Sequence, residues 1–242
     1  MDWQPVVKTV EPFIVKIETQ DGHGTGFICF RNDWAYGIAT AAHVVDTAEQ
    51  WHQPVRVRHY ASNKTGFFAD TERVIFVDKS QDSAMLLVPH ADLVVPHEFI
   101  KLLPTDAPIA IGNEVGWLGF PGIAADTLCF FNGSVSARLE HRNAYLIDGV
   151  AINGVSGGPV IYAEPAHGPQ IVGIVSAYHA NRQRGDTLPG LLIAQDVSQF
   201  HEMINHVKSI DEAQKAKQRL EAEAKGEQGG QLEPPSKSIL DS

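Results

Sequence analysis

The sequence predicts an all-β protein that ends in a helix. Between residues 10 and 200 the apolar residues come in short runs, some with period-two alternation, as in Val55-Arg56-Val57-Arg58. Turn formers break these runs at short intervals: 21 glycines and 14 prolines in 242 residues fit many short antiparallel strands better than long βα units. Only at the end does the spacing change, with Val197, Phe200, Ile204 and Val207 recurring every three or four residues, the mark of one helical face. Such a pattern belongs to antiparallel barrels or sandwiches.

In chain order, Phe13 to Glu18 reads as the first strand, and Asp21-Gly22-His23-Gly24-Thr25-Gly26 as a turn. Phe27 to Phe30, Tyr36 to Ala39, Val55 to Arg58, Arg73 to Val77 and Ala84 to Val88 read as further strands. Lys101 to Pro108, with two prolines, reads as a crossover. A second set follows at Glu114 to Gly119, Leu128 to Val135, Ala144 to Ile147, Pro159 to Tyr162, Ile171 to Tyr178 and Leu191 to Ala194. The expected organisation is therefore two similar halves, 1–100 and 101–196. A helix with a charged extension over 197–225 follows, started by Asp196 as N-cap, and then a disordered tail over 226–242, where Gly229-Gly230 and Pro234-Pro235 occur. The charged helix is a candidate surface for self-association or a partner.

Composition excludes several function classes. The net charge is −10 and no basic stripe is present, so nucleic acid is not an expected partner. No run approaches the ~20 apolar residues of a membrane span. Met1-Asp2-Trp3-Gln4-Pro5 has neither the basic start nor the apolar stretch of a signal peptide. A soluble cytoplasmic protein is expected, with Cys29 and Cys129, both inside apolar runs, as buried free thiols.

The chemistry concentrates at two distant places. Gly154-Val155-Ser156-Gly157-Gly158-Pro159 sets a hydroxyl among glycines that let the backbone turn sharply and present its N–H groups. Thr40-Ala41-Ala42-His43 sets an imidazole behind small residues at the end of an apolar run. A serine hydroxyl becomes a nucleophile when an imidazole takes its proton. The imidazole needs a carboxylate on its other nitrogen to fix the tautomer and stabilise the imidazolium. Among 11 histidines, His43 is the candidate base; His52, His59, His90, His97 and His141 lie in polar or turn-like contexts. Asp82 is the candidate carboxylate, because it opens the apolar run Ser83-Ala84-Met85-Leu86-Leu87-Val88. Asp78 fits the turn Asp78-Lys79-Ser80-Gln81 better, and Asp46 fits the cap of a helical turn. Nucleophilic acyl transfer is the reaction type implied, with no cofactor and no metal: the chain lacks a His-Glu-x-x-His motif, and His201 and His206 are off one helical face.

The order His43, Asp82, Ser156 is that of chymotrypsin-like barrels. With Gly24-Thr25-Gly26-Phe27, Asp82-Ser83-Ala84-Met85-Leu86 and Ile171-Val172-Gly173-Ile174-Val175-Ser176, the chain resembles the trypsin-like serine proteases over about residues 5–207. It is most like the disulfide-poor bacterial branch that includes the HtrA-type proteases. The resemblance implies two antiparallel six-stranded β-barrels, His43 and Asp82 from the first and Ser156 from the second, with the N–H groups of Gly154 and Ser156 as oxyanion hole. It implies that Ser176, Ala177 and Tyr178 pair with the substrate backbone, and that Val150 stands where an acidic pocket floor would select Arg or Lys. A small or medium apolar residue before the cut bond is the expectation. The chain departs from digestive relatives at Val155, where they carry an aspartate, and in having no cysteine after His43. HtrA-type proteins usually append a PDZ domain, and here only the charged helix and tail follow the barrels.

Two other readings of the glycine motifs fare worse. Gly154-x-Ser156-x-Gly158 also fits the nucleophile elbow of α/β-hydrolases, but Gly157-Gly158-Pro159 leads into a strand-forming run and not a helix. Gly22-x-Gly24-x-Gly26 lacks the helix and lysine of a phosphate loop. The alternative from another class is a trypsin-like fold that binds peptides or partners without cutting them.

Overall fold

The computed structural model describes residues 1–90, 95–150, 152–164, 167–181 and 186–228. Two antiparallel sheets dominate. The first contains β1 (Ile14–Thr19), β2 (Gly22–Arg31), β3 (Ala35–Ala41), β4 (Val55–His59), β5 (Thr65–Phe68), β6 (Val74–Asp78) and β7 (Ser83–Pro89), in the order β5-β4-β1-β2-β3-β7-β6. The second contains β8 (Lys101–Leu102), β9 (Glu114–Gly119), β10 (Cys129–Leu139), β11 (Ala144–Asp148), β12 (Pro159–Glu164), β13 (Gly168–Asn181) and β14 (Asp186–Asp196), in the order β12-β9-β10-β11-β14-β13-β8. β12 also pairs with β13, so six strands of the second sheet close into a barrel, with β8 added in parallel to β13. The first sheet is a seven-stranded half-barrel.

Burial explains the strands. β3 is buried throughout, as is β7 except at its last residue; such strands read as continuous apolar runs and not as alternation. β4 alternates, with Val55, Val57 and His59 inside. His59 is fully buried. Its ring bonds the Pro12 carbonyl at 2.7 Å and Ser62 Oγ at 2.8 Å, and burial holds its pKa below the usual histidine value against the raising effect of that carbonyl.

The expected turn over Asp21 to Gly26 is shorter, because β2 already begins at Gly22. Gly24 and Gly26 serve close approach instead: a Cβ on Gly24 would lie 2.6 Å from Val44, and one on Gly26 2.9 Å from the Ala39 carbonyl oxygen. Two short helices also stand where the sequence shows no strand: α1 (Gln4–Val10), with Pro in its first turn, and α2 (Ala42–Gln50). Cys29 is buried and free, its thiol pushed up to about 12 by burial, whereas Cys129 is free and only half-buried.

Arg73 anchors α2. Its side chain is fully buried, and it donates to the carbonyls of Ala48 (3.1 Å) and Gln53 (2.9 Å), with Asp70 and Glu49 as ion partners. A cation at a helix C-terminus satisfies carbonyls that lack intrahelical partners. Arg73→Met is expected to destabilise the fold by about 3–5 kcal/mol, because the Ala48 and Gln53 carbonyls lose a buried charged donor. Chemical denaturation with an unchanged m-value checks it; a loss under 1 kcal/mol would contradict this role.

α3 (Ser198–Gln228) is one continuous helix, so the helical stretch runs two residues past the expected start of the tail at Gly226. Asp196 does accept from the Ser198 N–H (3.0 Å) at its start. In the first turns Phe200 is fully buried and meets Phe27 edge-on at 6.4 Å. The part from Asn205 onward forms a unit of its own; Leu220 is exposed there and Lys217 faces Glu221. Residues 229–242, most of the expected tail, lie outside the described residues. No helix among the described residues is long and apolar enough to cross a membrane.

Candidate active site

β3 delivers its last small residues, Thr40 and Ala41, straight into α2, and His43 is the second residue of that helix. Asp82 stands in the turn between β6 and β7. Its φ is +46°, a left-handed conformation uncommon outside glycine. Its own carbonyl accepts from the Ala42 N–H at 3.1 Å. Asp78 closes the preceding turn, accepting from the N–H groups of Ser80 (2.8 Å) and Gln81 (3.2 Å), while Asp46 pairs with Lys79 at 2.8 Å. Both competing carboxylates are thus engaged away from His43.

Three donors converge on the Asp82 carboxylate. The His43 backbone N–H reaches Oδ1 at 3.1 Å, and the His43 ring reaches Oδ1 at 3.0 Å and Oδ2 at 2.9 Å through Nδ1. The Ser176 hydroxyl donates to Oδ2 at 2.5 Å. A carboxylate is acceptor-only, so the ring nitrogen facing it carries the proton, and Nε2 is left with its lone pair. Ser176 was expected to act through its backbone; its hydroxyl contact to Asp82 comes from a residue 94 positions away, which no local pattern signals.

Ser156 sits in a turn held by glycines in left-handed conformations, Gly154 at φ +92° and Gly157 at φ +82°. A Cβ on Gly157 would lie 2.2 Å from the Thr25 carbonyl oxygen, and one on Gly154 2.3 Å from that of Phe120, so both positions require glycine. Thr25, fully buried on β2, organises the turn. Its N–H donates to the Ser156 carbonyl (2.8 Å), its hydroxyl donates to the Gly154 carbonyl (2.8 Å) and accepts from the Phe120 N–H (3.0 Å). Val155 is fully buried against Gly119, which gives the residue before the serine a packing role.

The backbone accounting of this turn is selective. The N–H groups of Val155, Gly157 and Gly158 bond to the carbonyls of Ile152, Val175 and Val155. Those of Gly154 and Ser156 have no acceptor among the described residues. Two unpaired donors on alternate residues of one turn form a site for negative charge.

His43, Gly154 and Ser156 line one cleft of about 380 Å³. Among the described residues no hydrogen bond joins the Ser156 hydroxyl to the His43 ring. His23, which sequence reasoning passed over, lines the same cleft. Its Nε2–H donates to the Phe120 carbonyl at 3.0 Å, beside Gly154. Gly122 also lines the cleft and bonds Asn153 at 2.6 Å. Its loop is tied down through Asp126, which meets Lys16 (3.2 Å) and Arg58 (3.1 Å). The Lys16 hydrogen bond first, then the two cations, holds the Asp126 carboxyl below its usual range.

Val150 is half exposed and is not among the residues that line this cleft. Ala177 and Tyr178 lie on β13 opposite Ile193 and Leu192 of β14; their side chains fall outside the described part of the structure. No group of three His, Cys, Asp or Glu side chains among the described residues is placed to hold a metal ion.

Residues 24–174 match the trypsin-like peptidase domain. The chain belongs to the trypsin-like peptidase family. It is accordingly a hydrolase of the serine-endopeptidase type, and peptides or proteins are its class of substrate. The fold agrees with solved members. The inactive form of Rv3671c from M. tuberculosis, in a serine-to-alanine mutant, superposes with a TM-score of 0.59 at 22% identity, over 85% of this chain and 91% of that one. The serine endoprotease of Yersinia pestis superposes with a TM-score of 0.63 at 19% identity, over 85% of this chain and 66% of that one. No curated protein sequence matches this trypsin-like chain.

Proposed function

We propose that this trypsin-like chain hydrolyses internal peptide bonds with His43, Asp82 and Ser156 as its catalytic residues. Residues 1–100 supply the base and its carboxylate, and 101–196 supply the nucleophile. The observation that carries the reading is the convergence on one cleft of a carboxylate-bound imidazole, a serine, and the two unpaired N–H groups of Gly154 and Ser156. Nε2 of His43 takes the Ser156 proton as Oγ attacks the substrate carbonyl. The tetrahedral oxyanion rests on the two N–H donors, a type of contact worth about 10²–10³ in turnover per donor. The imidazolium then protonates the leaving amine, and water resolves the acyl-enzyme by the same steps in reverse. The hydroxyl–imidazole hydrogen bond forms when substrate fills the cleft, since contacts of this kind are often long or absent until substrate binds. The backbone of Ser176, Ala177 and Tyr178 pairs with the acyl side of the substrate as an added strand. With Val150 and not a carboxylate six residues before Ser156, and Asp148 displaced from that place by two, the residue preceding the cut bond is small or medium and apolar.

A fluorophosphonate probe, with the labelled peptide mapped by mass spectrometry, tests the nucleophile: stoichiometric labelling at Ser156 is expected. Cleavage of a proteome-derived peptide library tests the preference. Cuts after Ala, Val or Leu are expected, and a dominant signal after Arg or Lys would overturn that part. A folded protein that takes no label and cuts nothing is instead a peptide-binding module.

A further inference from the structure

The cleft at Ser156 does not end there. It shares Thr19, Gly22 and His23 with a second hollow of about 450 Å³ that reaches Pro54, Arg56 and Phe67. The two are joined by a cross-strand row. His23 on β2 pairs with Glu18 on β1, Glu18 with Arg56 on β4, and Arg56 with Phe67 on β5. Directly paired residues in antiparallel strands project from the same face, so the row forms one continuous track across four adjacent strands. It begins beside Gly154 and ends on Phe67, a phenylalanine 63% exposed. Glu18 and Arg56 pair with each other at 3.6 Å, which leaves the aromatic ring as the main unsatisfied surface of the row.

Among the described residues none of β13 lines either hollow. If the acyl side of the substrate lies along β13, this track lies on the other side of Ser156 and receives the residues that follow the cut bond. Three strand spacings separate His23 from Phe67, about 14 Å, which an extended peptide covers in about four residues. We propose that Phe67 is a specificity-determining residue that receives a large apolar side chain about four to six positions after the cut bond. The proposal rests on the catalytic reading above, because it needs Ser156 as the point where the peptide is cut.

Two sets of internally quenched peptides test it, identical up to and including the cut bond. One set ends two residues later. The other runs eight residues further, with either phenylalanine or serine at positions four to six. The wild type is expected to cut the long phenylalanine peptide with a kcat/KM about tenfold above the long serine peptide. Phe67→Ala is expected to erase that ratio, and Phe67→Leu to keep most of it. Both variants should cut the short peptide and take the fluorophosphonate label like wild type. A ratio near one in wild type, or a ratio that survives in Phe67→Ala, overturns the proposal while labelling stays intact. Failure of wild type to label or cut any peptide overturns the catalytic reading, and this inference with it.

Discussion

Ser156→Ala is expected to lower turnover on peptide substrates about 10⁶-fold and to abolish fluorophosphonate labelling. The size follows from what the substitution removes and what it spares. It takes away the only atom of the turn proposed to form a bond to substrate, so His43 has no hydroxyl to deprotonate. It spares the backbone: the Ser156 carbonyl still accepts from Thr25, and the Ser156 N–H, like that of Gly154, still has no acceptor among the described residues. Substrate affinity and thermal stability should therefore stay near wild type, and residual catalysis over water should reflect the remaining donors alone. Purified variant and wild type compared by kcat, KM and melting temperature provide the check. Residual turnover within tenfold of wild type would show that Ser156 is not the nucleophile.

The parts of the candidate site that are legible in the sequence are those whose signal is local. Ser156 stands among glycines that the structure requires at φ +92° and +82°. Asp82 announces itself by the buried strand it opens, and His43 by the small buried residues before it. Contacts made across long stretches of chain left no such trace. Ser176 reaches Asp82, Thr25 reaches Gly154, and His23 reaches Phe120 over 94, 129 and 97 positions respectively. Glycine itself was ambiguous. At Gly24 and Gly26 it permits close packing of β2, not the turn its spacing suggested, because the same missing side chain serves both purposes. The two-sheet architecture was readable from strand runs, but the closure of one sheet into a barrel and the openness of the other depend on edge pairings such as β12 with β13, which periodicity does not encode.

Asp82→Asn should cut kcat about 10⁴-fold with little change in KM or stability. The carboxylate accepts from the His43 backbone N–H, the His43 ring and the Ser176 hydroxyl. An asparagine has one acceptor oxygen and one donor NH₂ in place of two acceptor oxygens. If the oxygen takes the Oδ2 place and keeps the Ser176 hydroxyl, the NH₂ takes the Oδ1 place, where it opposes the His43 backbone N–H and faces Nδ1, and the ring answers by moving its proton to Nε2. That nitrogen then donates toward Ser156 and cannot accept its proton. If the oxygen takes the Oδ1 place instead, it keeps the backbone N–H and the ring, and the NH₂ takes the Oδ2 place, where the Ser176 hydroxyl must turn from donor to acceptor. Either way the imidazolium formed during attack loses its compensating charge. Ser176→Ala alone keeps the charge and the ring contact, so it should cost only about tenfold, the modest worth of one supporting hydrogen bond. In the double variant that loss should shrink toward nothing, since the carboxylate it supports is already gone. Full additivity of the two substitutions would mean that Ser176 acts on the reaction by a route other than Asp82.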